Sequence, residues 1–343
     1  MGPHNHDLDA HEQPSAELRA EWKSIVKLTP KELEEYQDID DPRSPSSDDG
    51  FRYANPITQS QLRTAFAALR PELADLATKD SPVVYHTLLP GLLIAPALVP
   101  LEAQLDLLDR LLHRDLSDPR HQTNMHLHYD LPYPKETEGK TSFFDLSPDE
   151  PETFKPKDPD MHKPLTAKRV LNKRLHWVTL GGQYDWTNRI YPGTEPPPFP
   201  SDIRDFLEAL YPDTRAQAAI VNLYSPGDTM MMHRDVSEET DRGLISLSIG
   251  CDGLFMITPK DVAASGEARG QDEQKHLLLR LRSGDVIYMT QEARFAWHGV
   301  PKIVANTCPP ELQNWPATSD RHAQWQGWLA GKRLNLNVRQ MKD

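Results

Sequence analysis

In its C-terminal half the chain reads Asn222-Leu223-Tyr224-Ser225-Pro226-Gly227-Asp228-Thr229-Met230-Met231-Met232-His233-Arg234-Asp235. On an extended segment, side chains two apart share a face. The imidazole of His233 and the carboxylate of Asp235 can therefore grip one metal ion, supplying two-thirds of the two-histidine, one-carboxylate facial triad of non-haem Fe(II) oxygenases. Alone the motif is weak. His-x-Asp occurs three times, at His113-Asp115, His128-Asp130 and His233-Asp235, and 14 histidines among 51 acidic residues make chance copies expected. His113 and Asp115 close a helix, which puts them on a polar, exposed turn. His128 and Asp130 lie in a proline-rich stretch with no strand pattern.

The surroundings of His233 are different. Ala219 to Tyr224, Leu244 to Ile249, Leu254 to Thr258, His276 to Leu281, Val286 to Met289, Ile303 to Asn306 and Leu334 to Val338 are short apolar or alternating runs separated by Gly, Pro and Asp turns. Many short strands at such spacing predict a sandwich or barrel. A last helix is expected from Asp320 to Leu329.

Upstream the period is helical. Leu62, Phe66, Leu69, Leu73 and Leu76 recur at helix spacing with Pro71 dividing them. A strand from Leu92 to Val99 follows, then a helix opened by Pro100 and running from Leu101 to Leu112. Residues 116–170 are polar and proline-rich, as a functional insertion would be. Leu175 to Leu180 reads as a strand running into an aromatic loop, Gly181 to Trp186, and Ser201 caps a helix through Leu210. Residues 1–57 are acidic and rich in Pro and Ser, a composition expected to stay unordered, with room for one docking helix from Ala16 to Leu28. The expected division is 1–57 as an acidic tail, 58–200 as helical extension and recognition lid, and 201–343 as catalytic core.

Composition narrows the class. Residues number 343, enough for one large or two small domains, and 38% are hydrophobic. The longest apolar run, Leu88 to Val99, is too short to cross a bilayer and carries Pro90 and Pro96, so no membrane span is expected. No signal peptide or transit pattern opens the chain, and His6 stands where myristoylation needs Ser or Thr. A cytosolic or nuclear monomer is expected. Cys251 and Cys308 are the only cysteines, which excludes a disulfide scaffold and a cysteine-ligated zinc site. The net charge of −13 argues against a nucleic-acid binder, yet residues 1–60 hold 13 acidic against 6 basic side chains, leaving −6 for the rest. From 151 to 176 the sign reverses, with Lys155, Lys157, Lys163, Lys168, Arg169, Lys173 and Arg174 against Glu152, Asp158 and Asp160. Such a stripe is either a phosphate-binding surface or a solvated loop face.

The third ligand must come from His276, His298 or His322. His298 is favoured: it sits in Phe295-Ala296-Trp297-His298-Gly299-Val300-Pro301, just after the strand announced by Ser283-Gly284-Asp285, and Gly299 leaves room beside it. His276, opening a strand, and His322, on a helix, remain the alternatives. Three ligands on octahedral Fe(II) leave three positions, suited to a bidentate keto acid and dioxygen. A dicarboxylate needs a cation at its far end. In Arg333-Leu334-Asn335-Leu336-Asn337-Val338-Arg339 the two arginines and two asparagines share one strand face and the apolar residues the other. Facing one way from so apolar a strand, the arginines call for an anion, unless this is an edge strand with solvated charges.

Asn222-x-Tyr224, Pro226-Gly227, His233-x-Asp235, Leu247-Ser248-Ile249-Gly250, Ser283-Gly284-Asp285, Arg294, His298 and Arg333-x-Asn335-x-Asn337-x-Arg339 together resemble the AlkB family of Fe(II)/2-oxoglutarate dioxygenases over about residues 88–343. The stretch from Leu175 to Trp186 and the ending Val338-Arg339-Gln340 are most similar to the subgroup of the first eukaryotic homologue. The resemblance implies an α+β protein with a double-stranded β-helix (jelly-roll, cupin-like) core, N-terminal helices and a substrate lid. It implies iron ligation by His233, Asp235 and His298, contacts to 2-oxoglutarate from Asn222, Tyr224, Arg333 and Asn335, and Arg339 near the inner carboxylate. Asn337 departs from the usual threonine, implying altered packing around the co-substrate. The implied reaction couples O2 and decarboxylation of 2-oxoglutarate to oxidation of an N-methyl group, on a methylated base in tRNA or DNA flipped out of its stack. Tyr184 and Trp186 would stack on the base, and Lys168, Arg169, Lys173 and Arg174 would hold phosphates. The rivals are the same chemistry on a protein methyl-lysine or small molecule, and a silent metal-binding scaffold.

Overall fold

The computed structural model describes residues 8–46, 49–135, 137, 141–193, 195–259, 276–317 and 321–343. In chain order the helices are α1 Ala16–Lys27, α2 Pro30–Glu35, α3 Gln59–Leu69, α4 Leu101–Leu108, α5 Ala167–Arg169 and α6 Ser201–Leu210. The strands are β1 Phe51–Tyr53, β2 Val84–His86, β3 Leu89–Ala95, β4 Tyr129–Asp130, β5 Lys155–Pro156, β6 Trp177–Gly181, β7 Ala218–Tyr224, β8 Met230–His233, β9 Leu244–Gly250, β10 Gly253–Thr258, β11 Leu277–Leu281, β12 Val286–Met289, β13 Trp297–Ile303 and β14 Arg333–Arg339.

The alternating runs pair into an eight-stranded sheet, β1-β2-β3-β12-β9-β14-β7-β6, and a four-stranded sheet, β11-β10-β13-β8, with β4 and β5 as a separate pair. Phe255, Ile257, Leu277 and Leu279 of the small sheet meet Leu244, Ile287 and Met289 of the large one in a shared apolar cluster. Two facing antiparallel sheets of this kind form the jelly-roll core expected from the strand spacing. The strands of residues 84–95 belong to the large sheet, so the core draws on chain well before residue 201.

On the outer face of the large sheet, α3 and α6 pack together, Phe66 stacking on Phe206 at 6.4 Å between ring centroids. Leu334, Leu336 and Val338 bury themselves in that helical layer's cluster. Each such leucine contributes about 1.5–3 kcal/mol, and a one-residue slip of β14 would turn all of them inward. The register is pinned on both sides, Asn335 opposite Asn222 of β7 and Ser248 of β9. The polar set of β14 therefore faces the space between the sheets.

Four local expectations are corrected. Residues 8–46 and 49–53 do not float free. Ser15 caps α1, accepting from the Leu18 amide at 3.1 Å, and Leu18, Trp22 and Ile25 pack on Met232, Leu254, Met256, Leu278 and Trp297 of the small sheet. Lys302 Nζ donates to the carbonyls of Val26 and Leu28 at 3.0 and 2.8 Å, satisfying the helix end. Arg282 makes a two-pronged bond to Asp41, and Arg43 reaches Asp285 at 2.9 Å. Average composition hides a stripe of three apolar side chains at helix spacing, which is enough when a bare sheet face awaits it. Second, Asp115 is buried and His113 half-buried, because the turns after α4 continue to Asp115 and tuck beneath the insertion. Third, the strand expected at Ile303 to Asn306 ends at Ile303 and begins at Trp297, so His298 lies within it. Fourth, the helix expected from Asp320 begins outside the described residues and is otherwise reduced to short 3-10 turns at Ala323–Trp325 and Leu329–Gly331. Among the described residues no helix is long and apolar enough to cross a membrane.

Candidate active site

Strands β8 and β13 run side by side, with His233 directly opposite His298. Gly299 makes the approach possible: a Cβ there would stand 2.8 Å from the Met230 carbonyl oxygen. The room beside His298 thus serves the neighbouring backbone. Asp235 follows two residues after His233, and the ligand atoms of His233, Asp235 and His298 lie within 4.8 Å of one another, the one such group among the described residues. Nε2 of His233 is 4.0 Å and Nε2 of His298 3.7 Å from the Asp235 carboxylate.

Each ring is oriented in the same way. Nδ1 of His233 sits 2.8 Å from the Met231 carbonyl, and Nδ1 of His298 3.0 Å from that of Ala296. A carbonyl only accepts, so both Nδ1 atoms carry the proton and both Nε2 lone pairs face Asp235. That is the tautomer a metal requires. The alternative ligands are engaged elsewhere, His276 facing Glu21 at 3.2 Å and His322 bound to Asp145 at 2.7 Å.

Burial, and next the His233 ring, draw the His298 pKa down to about 4, which keeps it neutral. Burial works against the Asp235 carboxylate, but its neighbours, Arg339 foremost and Arg294 among them, outweigh it and hold the pKa below the usual range. Arg339 Nη2 donates to Asp235 Oδ2 at 2.9 Å, and Arg294 Nη1 donates to the Asp235 carbonyl at 2.7 Å. Glu238 ties the two together, 2.9 Å from Arg294 and 3.2 Å from Arg339. Arg339 thus braces the metal-side carboxylate directly, a contact the sequence did not reveal. Glu238 carried no signal there, and Arg294 stood only as a motif letter.

The triad opens on a cavity of about 320 Å³ also lined by Asn222, Tyr224, Arg333, Asn335, Asn337 and Arg339. Arg333 is 2% exposed. It donates to Ser248 Oγ at 2.8 Å and to the carbonyls of Cys251 and Leu281 at 3.2 and 3.3 Å, while its Nε has no partner among the described residues. Gly253 leaves the space it occupies, since a Cβ there would fall 2.6 Å from that Nε. Among the described residues the guanidinium has no carboxylate within 4.0 Å, and burial depresses its pKa. A buried, fixed cation without an anion is a place for one.

Tyr184 and Trp186 reach the cavity lining, and Trp186 remains 39% exposed. Lys168, Arg169, Lys173 and Arg174 do not line it. They lie on α5 and the turn after it, leading into edge strand β6. Unforeseen from the sequence, Asp9, Ala10, Glu12 and Gln13 also line the cavity. Glu12 pairs with Arg234, and Arg189 donates to the Ala10 carbonyl.

A family model described as the 2OG-Fe(II) oxygenase superfamily matches residues 126–339. The sequence is 58% identical to the N6-methyladenosine RNA demethylase ALKB1 of Pyricularia oryzae over 98% of both chains. It is 64% identical to the N6-methyladenosine RNA demethylase ALKBH of Cryphonectria parasitica over 64% of this chain and all of the relative. To the tRNA demethylase abh1 of Schizosaccharomyces pombe it is 39% identical, over 74% of this chain and 80% of the relative. With a triad in metal-binding tautomers, a buried cation across the cavity and relatives of this kind, the chain belongs to the 2OG-Fe(II) oxygenase superfamily, in its AlkB branch.

Proposed function

We propose that the protein removes methyl groups from N-methylated bases in nucleic acid, with N6-methyladenine in RNA the first candidate. The observation that carries the reading is the cavity itself, lined by both the His233–Asp235–His298 cage and Arg333, which has no ion-pair partner among the described residues. The donor set fits Fe(II). Bound there, iron with 2-oxoglutarate and dioxygen supplies oxidation of the N-methyl group, which leaves as formaldehyde while the co-substrate becomes succinate and CO2.

The chain's own residues bind and orient. Arg333 takes the far carboxylate of 2-oxoglutarate in a forked bond, with Asn222, Tyr224 and Asn335 as further polar contacts. Arg339 keeps Asp235 ionised and aimed. Leu244, Phe255, Ile287 and Met289 give the cavity a dry wall that excludes water. At the mouth Trp186 and Tyr184 offer platforms for a flipped base, and the basic run from Lys168 to Arg174 holds phosphates outside the cavity. The names of the relatives support RNA as the substrate.

The test is incubation with Fe(II), 2-oxoglutarate and cellular RNA, tRNA or genomic DNA, followed by mass spectrometry of the nucleosides against a His233→Ala control. Loss of a methylated nucleoside only with the active protein is expected. No nucleoside change, with turnover on a methyl-lysine peptide, would refute the reading.

A further inference from the structure

The loop that carries Tyr184 and Trp186 continues to Tyr191, which also lines the cavity. Its ring stands edge-on to Tyr184 at 5.2 Å and 65°. Tyr184 in turn meets Trp186 edge-on at 4.9 Å, and Trp186 lies 5.2 Å from Trp177. An aromatic series thus runs inward from the exposed rim, with Tyr191 at its inner end.

The Tyr191 hydroxyl is buried and has no hydrogen-bond partner among the described residues. Buried phenols ordinarily find one, and four other tyrosines here do. Tyr129 donates to the Lys163 carbonyl, Tyr133 meets His126 at 2.7 Å, Tyr184 meets Ser237 at 3.2 Å and Tyr288 meets Thr214 at 2.8 Å. An unpaired buried hydroxyl costs about 1–3 kcal/mol. A ligand that packs against the hydroxyl offsets that cost only by bringing a polar atom of its own. The charged groups that act on the hydroxyl are Arg339, Glu238 and Asp235, all on the metal side, yet burial dominates and raises its pKa, so it stays a neutral donor and acceptor.

We propose that the Tyr191 hydroxyl is the specificity group that reads the polar edge of the target base, hydrogen-bonding a purine ring nitrogen while the methyl group faces His233, Asp235 and His298. The assignment rests on the nucleic-acid reading above. An aliphatic methyl-lysine would bring no polar edge to this hydroxyl, whereas a heterocycle that slides along Trp186 and Tyr184 presents ring nitrogens at its rim.

The experiment compares full-length wild type with Tyr191→Phe on RNA oligonucleotides carrying one N6-methyladenine or its 1-deaza, 3-deaza or 7-deaza counterpart, reading kcat/KM for formaldehyde release. In the wild type one deaza substrate should lose about tenfold. The phenylalanine variant should be down about tenfold on the parent base and show no further loss with that same deaza substrate, a non-additivity that a merely structural role would not produce. Its melting temperature should stay or rise, because the oxygen removed has no protein partner. A variant as active as wild type, equal further loss on every deaza substrate, or a fall in melting temperature overturns the proposal alone. Failure of the wild type to demethylate any methylated nucleoside sinks the underlying reading with it.

Discussion

Replacing Arg333 with methionine keeps most of the side chain's volume and removes its charge, which separates what the residue does for the fold from what it does for the co-substrate. In the ligand-free protein two effects oppose. Taking a guanidinium out of water costs several kcal/mol. Against this stand three hydrogen bonds, to Ser248, Cys251 and Leu281, worth about 1 kcal/mol each. No carboxylate among the described residues forms an ion pair with the guanidinium, and the longer-range attraction of Asp252 and Asp285 does not outweigh the burial. Arg333→Met should therefore lie within about 2 kcal/mol of wild type, or above it. With 2-oxoglutarate bound, two charge-assisted bonds vanish, a loss of about 3 kcal/mol or roughly a hundredfold in affinity. Thermal melting with Mn(II) in place of Fe(II) reads both quantities. At a co-substrate concentration of about 100 Kd the wild type gains about 2.7 kcal/mol, and the variant at the same concentration gains under about 0.5 kcal/mol. A ligand-free variant destabilised by more than about 3 kcal/mol would mean that the arginine is a structural strut. Retention of the 2-oxoglutarate shift would mean that the anion binds elsewhere.

His233→Ala should abolish both succinate and formaldehyde release and weaken Mn(II) binding by isothermal calorimetry, while far-UV circular dichroism stays as in wild type. Burial, and next the His322 ring, lower the His113 pKa to about 4. The unfolded chain takes a proton near pH 6.5 that the folded protein refuses, so stability falls as pH drops from about 6.5 to about 4, by about 3 kcal/mol. Urea titrations at pH 7 and 5 should show a smaller difference in His113→Gln, and an unchanged difference would contradict the assignment. RNA binding measured by anisotropy should weaken steeply with salt, and Lys173→Glu with Arg174→Glu should reduce the log–log slope by about 2; a flat dependence removes these residues from the interface. Trp22→Ala should cost about 3 kcal/mol and speed amide exchange throughout α1, whereas unchanged protection there would show that the helix holds without its anchor.

The core was legible because its signals are periodic. Leu334, Leu336 and Val338 alternate with Arg333, Asn335, Asn337 and Arg339, and that alternation alone settles which face of β14 meets the helices. His233 and Asp235 followed from the same period, and His298 from the turn that precedes it. The sequence was silent where contacts join distant segments. Nothing in residues 9–13 announces that Glu12 meets Arg234, and nothing near His113 announces the Asp145, His322 and Phe144 packed around it. The N-terminal helix was foreseen as a docking element, but the surface that receives it was not, because that surface is the small sheet's outer face, built from distant segments. The orientation of both imidazoles was hidden for a related reason: it is fixed by backbone carbonyls, which every residue possesses.

The missing side chain at Gly299 sets a length. With only hydrogen at that position, the main chain of β13 rests close against Met230 of β8, and this contact gauges how far apart His233 and His298 stand. The bite offered to an ion is thus a distance between two backbones, ruled before any ion arrives. A single added methyl group at 299 would meet the Met230 carbonyl oxygen at 2.8 Å, so the two strands would have to shift apart there.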